Sequence, residues 1–377
     1  MSINASEAER YPTRLKRVTP VMSPAQLCGE LRNSVQVRET VQSARRALTR
    51  ILHRHDDRLA VIVGPCSIHD VNAARDYAEK LAALRQAHRG DVDIIMRAYF
   101  EKPRTTDGWK GLLNDPHLNG SSDIELGLRL ARSLLLDINL IGLPVATEFL
   151  EPCATHFISD LVAWGAIGAR TAESQIHRQL ASGLSCPIGF KNGTDGNVKI
   201  AADAVKSASA QHQFLTVGAD GVFAGVWTTG NPDCHIVLRG GVAPNYDAAS
   251  VADACLALAQ HGLAGRVMID ASHGNSRKLH DNQLAVCENI AGQLAGGSQA
   301  IVGVMIESNL VCGRQDFAAG RPLTYGQSIT DACIAWDDTV RIVERLAQAV
   351  RQRRDALSAT TKGFAPPEPK ALPALPI

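Results

Sequence analysis

The fold class this sequence predicts is α/β, a (β/α)8 TIM barrel with an N-terminal extension and an inserted β-hairpin. Two observations point to it. Eight short apolar runs recur along the 377 residues, at 60–65, 93–97, 143–147, 165–169, 187–190, 235–239, 267–270 and 300–306. Between them lie segments with apolar residues at helical spacing, at 72–88, 123–137, 173–184, 197–209, 248–261 and 279–295, and a last one at 331–351. Buried strands alternating with helices are the pattern of a parallel barrel. A doubly wound open sheet would place G-x-G-x-x-G after its first strand, and none follows there.

Composition narrows the function classes. With 45% hydrophobic and 20% charged residues the chain is an ordinary globular one, long enough for a large core. Its formal net charge of +1 gives no broad basic field, which excludes nucleic acid as the expected partner. No apolar run approaches the roughly 20 residues of a spanning helix. The polar, acid-bearing start M-S-I-N-A-S-E-A-E-R lacks the apolar core of a signal peptide, so the cytoplasm is the expected compartment. Nine cysteines without a C-x-x-C pair argue against a disulfide framework and against a zinc finger.

Taken in order, the chain divides into three parts: 1–55, 56–352 and 353–377. The first is an arm broken by Pro12, Pro20 and Pro24, followed by a helix near 38–53, and is expected to reach a neighbouring subunit. The second is the catalytic barrel, with a long loop at 100–122 and a hairpin at 212–234, where Phe214, Thr216, Val222, Ala224 and Val226 alternate around G-A-D-G. The third is a tail carrying Pro366, Pro367, Pro369, Pro373 and Pro376, expected to be disordered.

Within the barrel, Trp164 to Gly196 reads as strand, helix, strand, with one cation closing each strand, Arg170 and Lys191. Ile176, Leu180 and Leu184 recur at the spacing of one helix face, and Thr171 is the expected N-cap, placing free N–H groups beside Arg170.

In barrel enzymes the chemistry sits where strands end. After strand one comes Cys66; after two, Arg97, then Lys102 and Arg104; after three, Glu148; after four, Arg170; after five, Lys191; after six, Arg239; after seven, Asp270 and His273; after eight, Glu307. Cations gathered on one rim repel unless anions bind there, which implies substrates with several negative charges. Cys66, His273 and Glu307 bring a thiolate, an imidazole and a carboxylate to the same rim, a set suited to a divalent Zn, Mn, Fe or Co ion. Asp331 is either a fourth ligand or the acid of a capping box S-I-T-D opening the last helix.

The motifs G-P-C-S-I-H-D (64–70), M-R-A-Y-F-E-K-P-R-T-T (96–106), G-W-K-G-L-L-N-D-P-H-L (108–118), G-A-R-T-A-E-S-Q, G-F-K-N-G-T-D-G, H-I-V-L-R-G-G, I-D-A-S-H-G-N-S and S-I-T-D-A-C-I-A-W carry a resemblance. Over roughly residues 10–350 the chain resembles the type I, metal-dependent, aromatic-amino-acid-regulated 3-deoxy-D-arabino-heptulosonate-7-phosphate (DAHP) synthases. The resemblance implies condensation of phosphoenolpyruvate with erythrose 4-phosphate, releasing phosphate, at the start of the shikimate pathway. It implies that Arg170 and Arg239 clamp the phosphate of phosphoenolpyruvate, with Arg97, Lys102 and Lys191 around its carboxylate and Glu148 in the same site. Arg104 and Thr105 would hold the aldose phosphate. Cys66, His273, Glu307 and Asp331 match the family's metal ligands, and Lys102 and Lys191 are candidates for proton transfer. A homodimer or homotetramer is expected. Its arm and hairpin would form an effector pocket for phenylalanine, tyrosine or tryptophan, lined by Phe149, Leu180, Leu184, Ser185, Phe214, Thr216 and Val226. Two rivals stay open: a synthase using arabinose 5-phosphate, and a catalytically silent regulatory paralogue.

Overall fold

In the strands the chain alternates between two apolar environments, and this decides which side chains reach the site. The computed structural model describes Arg14 and residues 18–317 and 321–362. Its strands are β1 (Leu59–Gly64), β2 (Val92–Arg97), β3 (Val145–Glu148), β4 (Trp164–Ile167), β5 (Ile188–Lys191), β6 (Gln213–Val217), β7 (Phe223–Trp227), β8 (His235–Leu238), β9 (Val267–Asp270) and β10 (Ile301–Glu307). All but β6 and β7 close into one parallel barrel, ordered β1-β2-β3-β4-β5-β8-β9-β10 and back to β1. The predicted fold class holds.

Odd and even strand positions point to opposite sides. Ile62, Ile95, Ala146, Trp164, Ala166, Val237, Met268 and Met305 belong to one buried cluster, the filling of the barrel, while Val61, Val63, Ile94, Ile167, Ile236, Ile269 and Ile306 belong to the layer under the helices. Trp164 dominates the filling, and Gly189 makes room for it: a Cβ there would lie 2.3 Å from its ring. Continued by two residues, the inward phase delivers Arg97, Lys191, Arg239, Asp270 and Glu307 to the C-terminal mouth.

The helix near 38–53 is observed at Val35–Leu52, capped by Ser34, whose hydroxyl accepts from the Val37 N–H. Its Ala44, Leu48, Ile51 and Leu52 join the barrel-filling cluster, so it seals the N-terminal end of its own barrel. Most of the arm, 1–13 and 15–17, lies outside the described residues. Two short helices, Pro24–Glu30 and Pro152–Ile158, add to the sequence reading.

The helix after β4 starts later than expected, at Gln175, with Ser174 at its N-cap position. Thr171 lies instead in a tight turn in which its own N–H and that of Ala172 are donated to the Gly168 carbonyl. Thr171 is therefore no N-cap, and no helix start flanks Arg170. Of the face expected from Ile176, Leu180 and Leu184, the last two pack against the core, together with buried Ala181 and Ser182, while Ile176 is exposed. The last helix runs from Trp336 to Lys362. Asp331 precedes it by five residues and cannot be the acid of its capping box. The tail expected from 353 begins as helix, and 363–377 lie outside the described residues.

The hairpin is β6 and β7, antiparallel, pairing Phe214 with Val226 and Thr216 with Ala224. It is fastened by a 2.7 Å contact between the Ser182 and Thr228 hydroxyls and by the Ala25 N–H donating to the Ala219 carbonyl.

Candidate active site at the barrel mouth

A cavity of about 620 Å³ opens at the C-terminal mouth, lined by Arg97, Lys102, Arg104, Glu148, Arg170, Lys191, Arg239, His273, Glu307 and Asp331 among others. Ten residues named from strand and loop positions thus converge on one space, which a chance scatter of surface charge would not produce.

On one side the charges are paired. Arg97, fully buried, donates Nη2 to Glu307 Oε1 at 2.9 Å and to the Cys66 carbonyl, and Nε to the Pro65 carbonyl, with its guanidinium stacked 3.5 Å over Tyr99. Lys102 Nζ approaches Cys66 Sγ at 2.9 Å and Asp331 Oδ2 at 3.9 Å. Cys66 Sγ, a Glu307 oxygen and an Asp331 oxygen all lie within 4.8 Å of one another. Burial first, then the Glu307 charge, pushes the Cys66 thiol up to about 11. In this dry pocket the thiolate needs a cation beside it. Burial opposes the Lys102 charge, yet Cys66, Glu307 and Asp331 together hold its pKa above the ordinary lysine value. Thiolate and carboxylate at this spacing are a fit donor set for a divalent transition metal. His273 stands outside that tight group, with Nε2 3.9 Å from Glu307 Oε1.

Across the cavity the cations lack partners. Among the described residues neither Arg170 nor Arg239 has a carboxylate within ion-pair distance; Arg170 donates to the Pro103 carbonyl at 3.4 Å and Arg239 to the Gly240 carbonyl at 3.3 Å. Burial, with Arg170 as a like charge nearby, lowers the Arg239 pKa. Two guanidiniums facing one cavity without an ion-pair partner are a site for a multiply charged anion. Arg104 sits on the exposed loop with Nε donating to the Trp109 carbonyl.

Residues 34–344 match the DAHP synthetase I family. The chain belongs to that family. It is 54% identical over 341 residues to the Phe-sensitive phospho-2-dehydro-3-deoxyheptonate aldolase of Escherichia coli K12, covering 90% of this chain and 97% of that one. To the Trp-sensitive form of the same strain it is 52% identical over 340 residues, covering 90% and 98%. A solved phospho-2-dehydro-3-deoxyheptonate aldolase from Francisella tularensis SCHU S4 superimposes with a TM-score of 0.89 at 49% identity, over 90% of this chain and all of that one.

Thr105 is exposed and outside the cavity lining, and Cys66 lies fully buried beneath it. Of the seven residues named for an effector, Phe149 is buried against Gly165, Leu180, Leu184, Phe214, Thr216 and Val226 are half-buried, and Ser185 is exposed. Lys278, His280 and Arg314 also line the cavity and lie outside the sequence reading, because they stand well beyond the strand ends, deep in the long segments that follow β9 and β10. Asp270 stood at a strand end but received no role; its parity with Lys191 would have flagged it as inward.

Proposed function

We infer that this chain condenses phosphoenolpyruvate with D-erythrose 4-phosphate and water, giving DAHP and inorganic phosphate, the first step of the shikimate route to aromatic amino acids. The observation that carries this is the division of one cavity into unpaired guanidiniums, Arg170 and Arg239, and a thiolate–carboxylate cluster, Cys66, Glu307 and Asp331.

In this reading Arg170 and Arg239 hold the phosphate of phosphoenolpyruvate, and Lys191 and Lys102 lie along its carboxylate, with Arg97 behind them fixing Glu307. Arg104 and Thr105 take the aldose phosphate from the loop side. The enol carbon attacks the aldehyde, water adds to the carbon that bore the phosphate ester, and phosphate leaves. Most of the acceleration comes from holding the two anions together and matching charge as it develops. Lys102 and Lys191 are the groups placed to move a proton. Cys66, His273, Glu307 and Asp331 would hold a divalent ion, which supplies Lewis-acid polarisation of the aldehyde or activation of water. Phosphate release with erythrose 4-phosphate, and its loss with chelator, are the expected results. Equal turnover of arabinose 5-phosphate, or full activity after metal stripping, would overturn the assignment.

Regulation by phenylalanine, tyrosine or tryptophan belongs to the same proposal. The half-buried hairpin face, with Phe214, Thr216 and Val226, and the helix side with Leu180 and Leu184 and nearby Ser185 would line the slot, with Phe149 as its inner wall. The outward hairpin face supports a homo-oligomer, since Leu215, Phe223 and Trp227 are 72%, 75% and 70% exposed. The cytoplasm is the proposed compartment.

A further inference from the structure

Asp270, the last residue of β9, has no exposed surface and lies behind the cavity rather than among its lining residues. Both oxygens of its carboxylate are nonetheless bonded. Oδ1 accepts from the Ser272 N–H at 3.0 Å and from the Ser272 hydroxyl at 2.6 Å. Oδ2 accepts from Lys191 Nζ at 2.8 Å and faces His273 Nδ1 at 2.9 Å. One oxygen therefore joins Lys191 to the His273 imidazole.

The bonding pattern decides which ring nitrogen of His273 carries a proton. Nδ1 has two neighbours, Asp270 Oδ2 and, at 2.7 Å, the Ser272 hydroxyl oxygen. The carboxylate can only accept, and the serine hydroxyl hydrogen is already given to Asp270, so its oxygen accepts as well. Both neighbours demand a donor at Nδ1. In the neutral ring that a metal requires, Nε2 is then left with its lone pair, on the side of Glu307 Oε1. His273 holds a left-handed backbone, φ +56°, at the start of a turn in which the Lys278 N–H donates to the His273 carbonyl, so the ring is aimed by the backbone as well as by Asp270.

We propose that Asp270 is the positioning residue of this site: by accepting from Nδ1–H it holds His273 in the tautomer and orientation that present Nε2 to the metal cluster, while the same carboxylate oxygen anchors Lys191. The proposal rests on the metal-centre reading above. It leaves the identity of the aldose aside. A carboxylate or carbonyl behind a ligating imidazole commonly tunes metal affinity by 10–100-fold.

The test uses the full chain, stripped of metal and reloaded with zinc alone. Competition against a chromophoric chelator should show Asp270→Asn binding zinc at least tenfold more weakly than wild type, with Ser272→Ala, which keeps Oδ2, within a few-fold. Zinc affinity in a folded Asp270→Asn chain within twofold of wild type would overturn the proposal. Should that variant fail to fold, the wild-type zinc form decides: nitrogen NMR of histidine-labelled protein is expected to find the proton on Nδ1 of His273, and an unprotonated Nδ1 would refute it. Both readouts are independent of turnover. A chain that bound zinc as expected but released no phosphate would refute the synthase assignment while leaving the role of Asp270 intact.

Discussion

The two sides of the cavity use charge in opposite ways. On the metal side every charge has a protein partner: Arg97 with Glu307, Lys102 with Cys66 and Asp331, Lys191 with Asp270. On the phosphate side Arg170 and Arg239 have none among the described residues. Paired charges in a dry setting hold geometry, and removing one partner strands the other. Unpaired cations raise the energy of the empty protein and lower that of the complex. The difference implies that substitutions on one side are felt first as lost stability and on the other as lost substrate affinity.

The largest expected effect follows from breaking a buried pair. In Glu307→Gln the guanidinium of Arg97, 1% exposed, loses its carboxylate, which should cost about 3–5 kcal/mol of folding stability in the metal-free chain. Urea denaturation measures it. A midpoint equal to wild type would mean that Arg97 is satisfied by its carbonyl contacts and that the metal side is not held by charge pairing.

Arg239→Ala should do the reverse. The metal-free protein should be as stable as wild type or slightly more so, since Arg170 loses a like charge, while kcat/KM for phosphoenolpyruvate falls by about 2–5 kcal/mol in free-energy terms. A loss of stability with unchanged kcat/KM would erase the contrast between the sides.

A third uncompensated group sharpens the rule, because it is an anion. Glu101 is 6% exposed, accepts from the Glu151 N–H at 3.3 Å, and is pushed up to about 8, by burial first and then by the neighbouring Glu148. Where the arginines await an anion, this carboxyl takes a proton. Its folded pKa lies above its unfolded value of about 4.3, so the folded state binds the extra proton between the two. Stability is therefore highest below the lower value and falls as pH rises toward 8. Glu101→Gln should match wild type near pH 4 and melt higher at pH 9. Parallel wild-type and variant melting curves across that range would show that Glu101 is ionised in the fold.

Much of this was legible because a barrel turns strand phase into position. Arg97, Lys191, Arg239 and Glu307 stand at the ends of apolar runs, and period-two alternation sends them inward together. What sequence could not supply was pairing: Arg97 reads as an anion binder in a string of letters, yet its donors go to Glu307 and to backbone carbonyls. Helix starts were misread where several capping residues lie close together. Thr171 and Ser174 both suit an N-cap, and the turn back to Gly168 selects the second. Asp331 read equally well as cap or ligand until the helix start at Trp336 removed the cap.

The smallest expected effect on catalysis lies farthest from the mouth, in the hairpin, where the comparison of satisfied and unsatisfied groups continues in apolar form. Its inner face, Phe214 with Val226 and Thr216 with Ala224, is half-buried, whereas the outer Leu215, Phe223 and Trp227 stand in solvent. An apolar face left open in the single chain is the counterpart of an arginine left without an anion, and in the proposed assembly a second copy covers it. Phe223→Ser with Trp227→Ser should leave kcat within about twofold, because neither residue touches the cavity lining. Sedimentation should show a shift to smaller species, and the response to millimolar phenylalanine, tyrosine and tryptophan should weaken. An unchanged oligomer with full inhibition would detach both assembly and regulation from this face. An unchanged oligomer with lost inhibition would keep the effector slot and move the subunit contact elsewhere.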